Sequence, residues 1–522
     1  MLINLKQNNF KIEVDLPLSK SESNRALMIA LYLRTQRLRD AETQRFCDYA
    51  TLRLSDLITS QLSNSDDTVL LKNLLEKINQ YIYHYKQSIL SVDVCPLTLD
   101  CANAGTVFRF LMTAVANLQF TIKNEQLTVD NKKSSQTLRF LLTGSERMKS
   151  RPIDSLVDAL RSLGVSIEYK EKEGYPPVLI IISTHLGDFH VNSCGQDNTS
   201  DSCEARRNRV EVSAEQSSQF ASSLLLAAPT WKNGLELHLT GNLSSMPYID
   251  MTINMMRQCG INVKRDDRDI IVRQGTYNIE NIKIESDWSA AAFWYEAVAL
   301  SAVKGQQSTA FLLKNLNVNS LQGDAIVMKM FEDLGVETMP SDKGVVIKKT
   351  TTNSHQRIFN FQFSTFNFKD CPDLFPAVIA TCAGLQIDAT FTGLKNLSIK
   401  ESNRKMAMIN ELNKINFSFE DNSDDVLKMY CPEKLPYFTE ETPITFNNYD
   451  DHRIAMALSI LSLKIGAINM ENPAVVSKSY PQFYEAIGVN TRYVVVHTHL
   501  LCSHVRYCNS IQGLQIQSGH LG

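Results

Sequence analysis

The chain has 522 residues, a net charge of −3, 43% apolar residues and 21% charged residues. This length favours two domains of ~200–250 residues, because one hydrophobic core rarely serves more. The composition is that of an ordinary soluble globular protein, and the small net charge excludes a general attraction to nucleic acid or acidic membranes. Any anion site must therefore come from local clustering of cations.

The chain carries no recognisable targeting or membrane segment. Its N-terminus lacks an apolar core followed by a small-residue cleavage site, so we predict no signal peptide. The longest apolar stretches, 290–303 and 456–470, are interrupted by Glu296 and Lys464 and fall short of the ~20 residues of a membrane span. Eleven cysteines without a Cys-x-x-Cys pair indicate reduced, mostly buried thiols. We expect a cytoplasmic protein.

The first motif in the chain is the segment 18–25, Leu-Ser-Lys-Ser-Glu-Ser-Asn-Arg, which opens onto an apolar helical run. Its hydroxyl and amide side chains are N-cap types, so the first free N–H groups of the helix point the same way as Lys20 and Arg25. Alone, such a motif is more often a helix cap with two solvated cations. The segment 399–408, Ile-Lys-Glu-Ser-Asn-Arg-Lys-Met-Ala-Met, repeats its order and suggests two related halves that share one ligand.

A second pattern recurs along the chain: an amphipathic helix, a glycine and a short β-prone run. Glycine after the last helical turn supplies the left-handed residue that ends the helix. The repetition predicts an α/β architecture assembled from small similar units. The copies lie at 153–169 with Gly164, 249–263 with Gly260, 325–336 with Gly335 and 483–489 with Gly488.

Two predicted helices, 220–228 and 288–303, are apolar nearly all round. A helix of this kind is buried, so we expect helices inside and sheets outside, the reverse of the usual layering.

Three stretches break the pattern: the charged run 34–60, the polar run 194–209 and the tail 491–522. The tail holds His497, His499, Cys502 and His504, which are metal-ligating types. No helix or hairpin pattern fixes their geometry, so we favour a tail without a metal site.

Together the motifs resemble the 5-enolpyruvylshikimate-3-phosphate (EPSP) synthase family, the transferases of the shikimate pathway. The resemblance runs from about residue 16 to about residue 487, apart from the two interior stretches. Each motif alone is weak, but all of them follow the order of the family. They are Ser19-Lys20-Ser21 with Arg25, Asn103 to Thr106 with Arg109, Arg147 to Pro152, Ser217-Ser218-Gln219, Ser245 to Tyr248, Asp370 to Asp373, Lys400-Glu401 with Arg404, Asp451-His452-Arg453, and Lys478.

The resemblance implies a two-domain inside-out α/β barrel in which each domain holds three β-α-β-α-β-β units with the helices buried inside the sheets. It places 1–20 and 287–490 in a discontinuous domain I and 21–286 in domain II, and leaves 491–522 as a tail. Because cations from both domains would face an empty cleft, we expect an open form until an anion neutralises them.

The implied reaction transfers the enolpyruvyl group of phosphoenolpyruvate to the 5-hydroxyl of shikimate 3-phosphate and releases phosphate, through a tetrahedral intermediate. It needs no metal or cofactor, because dense cations stabilise the charge on the leaving phosphate. The family also implies that the partners are small molecules alone, with no nucleic acid or membrane, and that the chain is a monomer.

Both substrates carry a phosphate and a carboxylate, which guanidinium forks bind through two parallel hydrogen bonds. For any single cation the alternative is a surface ion pair worth only ~0–1 kcal/mol. By resemblance, phosphoenolpyruvate is bound by Lys20, Gly105, Arg147, Gln219, Arg404, Arg453 and Lys478. Shikimate 3-phosphate is bound by Lys20, Ser21, Arg25, Ser217, Ser218, Gln219, Ser245, Tyr248, Asp373, Asn396 and Lys400.

The chemistry also needs one proton removed from the ring hydroxyl and one delivered to the methylene carbon. Two carboxylates in different settings can divide this work. We assign Asp373 as the base and Glu401 as the proton donor, assisted by Lys20, with roles that can exchange in the second step. The alternative for Asp373 is a helix cap before Leu374.

One departure and two rival functions remain. Leu18 stands where the family has glycine, and leucine adopts a positive φ only at a cost, so the loop or the site could be altered. The rivals are a UDP-sugar enolpyruvyl transferase, whose cysteine before the Arg-Pro pair is missing here, and a catalytically silent anion-binding relative.

Overall fold

The computed structural model describes residues 1–5, 12–40, 62–87, 95–122, 137–183, 208–280, 282–302, 310–350 and 364–489. Most of 34–60 and 194–209, and the whole tail with His497, His499, Cys502 and His504, lie outside these residues. The expectations about those stretches stay predictions.

The first part of the chain alternates short strands with helices. Its elements are β1 (Leu2–Ile3), β2 (Glu13–Val14), α1 (Lys20–Asp40), α2 (Asp66–Gln87), β3 (Leu97–Asp100), α3 (Gly105–Ile122), β4 (Thr137–Thr143), α4 (Glu146–Lys149), α5 (Asp154–Ser162), β5 (Ser166–Tyr169), β6 (Val178–Ser183), β7 (Asn208–Ser213), α6 (Ser218–Ala227), β8 (Leu235–Thr240), α7 (Met246–Gln258), β9 (Val263–Asp266) and β10 (Asp269–Val272).

The second part continues the alternation. Its elements are α8 (Trp288–Leu300), β11 (Ala310–Lys314), α9 (Val327–Glu332), β12 (Val336–Ser341), β13 (Gly344–Lys349), β14 (Ser364–Asn367), α10 (Phe375–Leu385), β15 (Ala389–Thr392), α11 (Arg404–Asn413), β16 (Ser418–Glu420), β17 (Val426–Tyr430), β18 (Ile444–Phe446), α12 (His452–Ile465), β19 (Ile468–Met470) and α13 (Phe483–Ala486). Short 3₁₀ helices lie at Ala228–Thr230, Gly323–Ile326, Lys395–Ile399 and Pro473–Lys478.

Four sheets share one strand pattern, a parallel pair followed by two antiparallel strands. They are β3-β4-β6-β5, β7-β8-β10-β9, β14-β15-β17-β16 and β2-β11-β13-β12, and a smaller sheet β18-β19-β1 begins in the same way. Parallel neighbours need a crossover connection. Four of the crossovers pass through one helix each, namely α3, α6, α10 and α12, whereas the connection from β2 to β11 holds a long insert and then α8. The predicted repeat of small α/β units is confirmed.

The crossover helices form the interior. α8, α10 and α12 pack against one another, and α3 packs against α6. From Trp288 to Leu300 every residue of α8 except Ser289 is buried, including Glu296. The inside-out α/β arrangement expected from the apolar helices is therefore confirmed.

The buried apolar side chains form two clusters. One draws its residues from 26–284, and the other from 3–16 and 288–487. We call them the insert lobe and the terminal lobe. Among the described residues, the insert lobe holds two of these sheets and the terminal lobe holds three. Three units were predicted for residues 21–286, and the described residues of that range include a sheet for only two of them.

The helix ends follow the predicted glycine signal. Gly164, Gly260, Gly335 and Gly488 have φ values of 84°, 85°, 80° and 73°, and each follows the last residue of a helix by two or three positions. In this left-handed region a side chain is costly, so glycine is the natural residue for the turn.

The chain passes between the lobes at two adjacent segments. Leu18 forms an isolated antiparallel bridge with Ser286, and the Ser19 N–H donates to the Glu285 carbonyl at 2.8 Å. Leu18 is thus extended, a conformation that leucine adopts without strain, and the replacement of the family glycine leaves the segment paired. As a result β2 and β11 become neighbours although the whole insert lobe lies between them in sequence.

The buried cysteines agree with the thiols expected from sequence. Cys101, Cys259, Cys371 and Cys382 are buried and free, Cys95 is exposed, and Cys431 is partly buried. Within the described ranges no helix is long and apolar enough to cross a membrane.

Glu22, at the crossing, should make stability depend on pH. Burial raises the pKa of Glu22 from 4.5 to about 7, although its carboxylate accepts from the Glu285 N–H at 2.8 Å. The folded state therefore holds this proton more tightly than the unfolded chain, and its contribution to stability is lost as pH rises from about 4.5 to about 7.

We expect Glu22→Gln to gain stability relative to the wild type over that range, by up to about 3 kcal/mol. Urea unfolding at several pH values measures the difference. Glu332→Gln, at an exposed position, is the matched control. A Glu22→Gln difference that stays constant with pH would contradict the prediction.

Candidate active site

The first turns of the crossover helices meet between the two lobes. In a parallel pair, the connection leaves from the carboxyl end of the first strand, so every crossover helix begins at the same edge of its sheet. α3 starts at Gly105, α6 follows Ser217, α8 follows Asp287, and α12 follows Asp451. The free N–H groups and positive dipole ends of several helices thus gather in one region, which favours anions.

A cavity in this region, the inner cavity, collects most of the predicted site residues. Walls come from both lobes. Of the predicted residues it is lined by Lys20, Ser21, Arg25, Gly105, Ser217, Ser218, Gln219, Ser245, Tyr248, Asp373, Asn396, Lys400, Glu401 and Arg453. Asp67, Thr106, Arg109, Arg151, Gln216, Ser244, Asp287 and Ile399 complete it.

A second, outer cavity adjoins the first and shares Asp67 and Glu401 with it. Arg147 and Lys478, both predicted to bind phosphoenolpyruvate, line the outer cavity and not the inner one. The Arg147 guanidinium donates to the carbonyls of Ser398 and Lys400 at 2.8 and 2.9 Å. Arg147 therefore ties α4 of the insert lobe to the terminal lobe.

Arg404 lies beneath the inner cavity and lines neither cavity. Its side chain is 0% exposed. It donates to Asp373 at 2.6 Å, to Glu401 at 2.7 Å and to Asp451 at 2.8 Å. Its donors thus hold three carboxylates in this structure, and its contact with phosphoenolpyruvate stays a prediction.

These contacts keep the two candidate acid–base groups ionised. Burial alone would raise the pKa of Asp373, but Arg453, Lys400 and Arg404 outweigh it and hold the pKa well below its usual range. Burial likewise opposes ionisation of Glu401, and Arg404 and Lys478 hold its pKa well below the usual range. The helix-cap alternative for Asp373 is not what the structure shows, because α10 is preceded by Leu374 and Asp373 bonds Arg404 and Arg453.

Lys20, at the start of α1, keeps its positive charge. Burial lowers its pKa, but the nearby Asp67 and Glu401 carboxylates outweigh burial, and the pKa is raised overall. The ammonium lies 3.1 Å from Asp67 on α2. Sequence reasoning missed Asp67, although adjacent acids at 66 and 67 just before an apolar helical run were a visible signal.

Gly105 faces two buried guanidinium groups. A Cβ there would meet Arg151 Nη1 at 2.5 Å and Arg109 Nη1 at 2.6 Å, so only glycine leaves both in place. Arg109 donates to Gln219 at 2.7 Å, and Gln219 donates to Thr106 at 2.6 Å. Arg151 was missed as a candidate because Arg147 carries the same charge four residues earlier, and the sequence alone does not say which faces inward.

The opposite wall is rich in neutral donors. The Ser217 hydroxyl caps α6 by accepting from the Gln219 N–H at 3.2 Å, and Ser245 begins α7 with a φ of 55°. Arg25 is buried and donates to Thr252 at 2.7 Å and to the Tyr248 carbonyl at 3.0 Å. The wall therefore combines a helix start, hydroxyls and one fixed cation.

Each of the two similar segments, 18–25 and 399–408, contains the start of a helix. Ser19 accepts from the Glu22 N–H at 3.3 Å at the start of α1, and Asn403 accepts from the Met406 N–H at 3.3 Å at the start of α11. Lys20 and Lys400, the cations of the two segments, both line the inner cavity.

No group of His, Cys, Asp and Glu side chains in the described part of the chain is arranged to hold a metal ion.

A family model described as EPSP synthase (3-phosphoshikimate 1-carboxyvinyltransferase) matches residues 5–487. The chain belongs to the EPSP synthase family. A relative from Bacteroides fragilis, named 3-phosphoshikimate 1-carboxyvinyltransferase, is 32% identical over 479 residues, which cover 92% of this chain and 95% of the relative. A relative of the same name from Vibrio vulnificus is 29% identical over 495 residues, which cover 91% and 95%.

Solved structures agree on the fold. An EPSP synthase from Acinetobacter baumannii aligns with a TM-score of 0.57 and 18% identity, over 93% of this chain and 97% of that one. The enolpyruvyl transferase NikO from Streptomyces tendae aligns with a TM-score of 0.54 and 11% identity, over 93% and 96%. The EPSP synthase family, and not the UDP-sugar rival, is the family of this chain.

Removing the central guanidinium should destabilise the fold strongly. Arg404→Ala leaves three carboxylates without their shared cation, so we expect a loss of at least about 3 kcal/mol at pH 7. The pKa values of Asp373 and Glu401 are lower in the folded state than in the unfolded chain, where they lie near 4. The two carboxylates therefore stabilise the fold at pH values above about 4, and this stabilisation is lost as the pH falls through their folded-state pKa values.

Urea unfolding at pH 7 and at several pH values below about 4 measures both effects. Lys149→Ala, which breaks a solvent-screened pair with Glu171, serves as the control and should cost far less than Arg404→Ala. Equal losses for the two variants at pH 7 would contradict the central role of Arg404.

Proposed function

We propose that this chain transfers the enolpyruvyl group of phosphoenolpyruvate to the 5-hydroxyl of shikimate 3-phosphate and releases phosphate. The inner cavity is the observation that carries the proposal. It brings cations from both lobes together with two ionised carboxylates, in a chain that belongs to the EPSP synthase family. Two substrates with a phosphate and a carboxylate each match this excess of donors.

We place shikimate 3-phosphate against the insert lobe. Its phosphate lies at the start of α6, where Ser217 and Ser218 add hydroxyls to the free backbone N–H groups. Its ring then extends past Ser245 and Tyr248 toward Arg25, whose guanidinium is held by Thr252. In this pose the ring hydroxyls face the terminal lobe, where Asp373, Asn396 and Lys400 line the cavity.

We place phosphoenolpyruvate beside Gly105, between the lobes. Arg151 is the buried cation nearest to Gly105, and no partner in the described structure accepts from its Nε or Nη1. Arg453 and Lys20 line the same cavity, and Lys478 and Arg147 line the adjoining outer one. The guanidinium groups suit the carboxylate, and the mixed cations suit the phosphate.

The lobes correspond in this proposal to two domains, with 1–20 and 287–490 as domain I and 21–286 as domain II. The two hydrophobic clusters and the paired crossing at Leu18 and Ser286 support that division. Each substrate is bound mainly by one wall and completed by the other, so catalysis requires both domains.

The acid–base roles follow from the charges at the site. Asp373 is ionised and accepts the proton of the ring hydroxyl, whose oxygen bonds to the central carbon of phosphoenolpyruvate. Lys20 is protonated and lies within the field of Glu401. The negative charges of phosphoenolpyruvate beside Glu401 raise the pKa of that carboxyl, so it takes up a proton and can deliver it to the methylene carbon.

The second step reverses the proton transfer. A proton leaves the new methyl group, the bond to the phosphate oxygen breaks, and the enolpyruvyl double bond re-forms. Lys20, Arg453 and Lys478 stabilise the charge that builds up on the departing phosphate. Because these cations are fixed by the fold before the reaction, little reorganisation is needed.

Phosphate release tests the proposal directly. Mixing the chain with shikimate 3-phosphate and phosphoenolpyruvate should release one phosphate for each acceptor consumed. Omitting either substrate is the control and should abolish release. Tight binding of both without release would instead support the catalytically silent relative.

Lys20→Met and Glu401→Ala should each lower turnover by at least about 10²-fold. Each change removes a group that we assign to proton transfer at the methylene carbon. Circular dichroism and thermal unfolding check that the variants fold. A folded variant with the wild-type rate would remove that residue from the mechanism.

Gly105→Ala should raise the KM for phosphoenolpyruvate about tenfold or more, because the new methyl group displaces Arg151 and Arg109. The KM for shikimate 3-phosphate should rise by less, about threefold at most, because only Arg109 of the two guanidinium groups reaches its subsite, through the bond to Gln219. Steady-state kinetics with each substrate varied in turn measures both.

Gly275→Ala is the matched control for this change. A Cβ at Gly275 meets only Ile261 Cδ1, at 3.4 Å, so neither KM should change. Equal rises in both KM values for Gly105→Ala would contradict the placement of phosphoenolpyruvate beside Gly105.

A further inference from the structure

The 3₁₀ helix Gly323–Ile326 of the terminal lobe contacts the start of α7 in the insert lobe, and it carries a buried acid that has no role so far. We propose that this acid, Asp324, is a positioning residue that holds Tyr248 across the lobes and thereby shapes the subsite for the acceptor sugar phosphate. The inference rests on the function proposed above.

The hydrogen bonds of Asp324 connect the two lobes. Asp324 is 3% exposed. Its Oδ1 accepts from the Tyr248 hydroxyl at 3.2 Å, and its Oδ2 accepts from the Ser289 hydroxyl of α8. Both oxygens are thus occupied, one by each lobe.

The backbone beside Asp324 is fitted to this contact. A Cβ on Gly323 would collide with the Pro247 ring, at the residue just before Tyr248. Only glycine lets the 3₁₀ helix approach the first turn of α7 so closely. The approach therefore fixes the distance over which Asp324 reaches the tyrosine.

Tyr248 lines the inner cavity, whereas Asp324 does not. The Tyr248 carbonyl accepts from Arg25 at 3.0 Å, and Ser245 lies one turn earlier on the same helix. Asp324 can therefore act on a ligand only through Tyr248. With its hydroxyl committed to Asp324, the ring of Tyr248 is fixed as a wall of the acceptor subsite.

The charged groups around Asp324 are Asp373, Arg453 and Asp287. Burial and the neighbouring Asp373 raise the pKa of Asp324 to about 6, while Arg453 opposes the rise. The carboxyl is ionised at neutral pH, so its bond to Tyr248 is charge-assisted and stronger than a neutral one.

Steady-state kinetics of Asp324→Ala, Tyr248→Phe and the double variant test this coupling. Each single change should raise the KM for shikimate 3-phosphate about tenfold, the effect expected for a hydrogen bond to a charged group. The KM for phosphoenolpyruvate should stay within about twofold and kcat within about threefold. The double variant should be no worse than either single variant, because both remove the same bond.

Conservative and control variants separate positioning from general stability. Asp324→Asn keeps an oxygen that accepts from the Tyr248 hydroxyl. Its KM for shikimate 3-phosphate should therefore stay close to the wild-type value, without most of the rise expected for Asp324→Ala. Tyr295→Phe removes another tyrosine hydroxyl bond of the terminal lobe, 2.8 Å to Thr338, and should lower the unfolding temperature without changing either KM.

Each outcome decides the inference. If the effects of Asp324→Ala and Tyr248→Phe multiply in the double variant, or if Asp324→Ala leaves the KM for shikimate 3-phosphate unchanged, the coupling is refuted. If Asp324→Ala does not fold, the other two single variants decide. A raised KM for shikimate 3-phosphate in Tyr248→Phe together with a near wild-type KM in Asp324→Asn supports the inference. Any other combination of results for these two variants overturns it. A wild-type chain that releases no phosphate would refute the proposed function instead.

Discussion

The Arg404 guanidinium, fully buried and bonded to Asp373, Glu401 and Asp451, is the interaction on which the site depends. Three carboxylates cannot stay ionised together in a dry interior without a cation that they share. Arg404 fixes Asp373 and Glu401 toward the inner cavity and fixes Asp451 at the start of α12. Through Asp451 it also sets the place of Arg453, whose guanidinium returns to Asp373. The acids and the cations of the terminal lobe therefore form one unit.

The repeated topology explains why that unit meets the cations of the insert lobe. Each parallel pair forces a crossover helix, each such helix starts at the same sheet edge, and the apolar helices pack inside both lobes. The helix starts of the two lobes then face one another. Anions that enter between them meet free N–H groups, fixed guanidinium groups and hydroxyls, so the substrates themselves complete the contact between lobes.

Much of the fold followed from the sequence because periodicity and glycine signals are local. The apolar run 288–303 predicted a buried helix, and Gly164, Gly260 and Gly335 predicted helix ends. For the site, the motifs indicated which residue types gather, but not which side chain faces inward. Arg147 lies on α4 and Arg151 lies just beyond its end, and only tertiary packing puts Arg151 beside Gly105. Asp67 and Asp324 were missed for the same reason, since both act through partners distant in sequence.

The pairing of β2 with β11 has a consequence for synthesis of the chain. Val14 pairs with Leu313, so a nascent chain must make the whole insert before its second strand finds a neighbour. At ~5–20 residues per second, β2 waits for roughly 15 to 60 seconds while residues 26–284 can already assemble around their own core. During that interval the unpaired strand is an open edge, which a chaperone could shield on the ribosome.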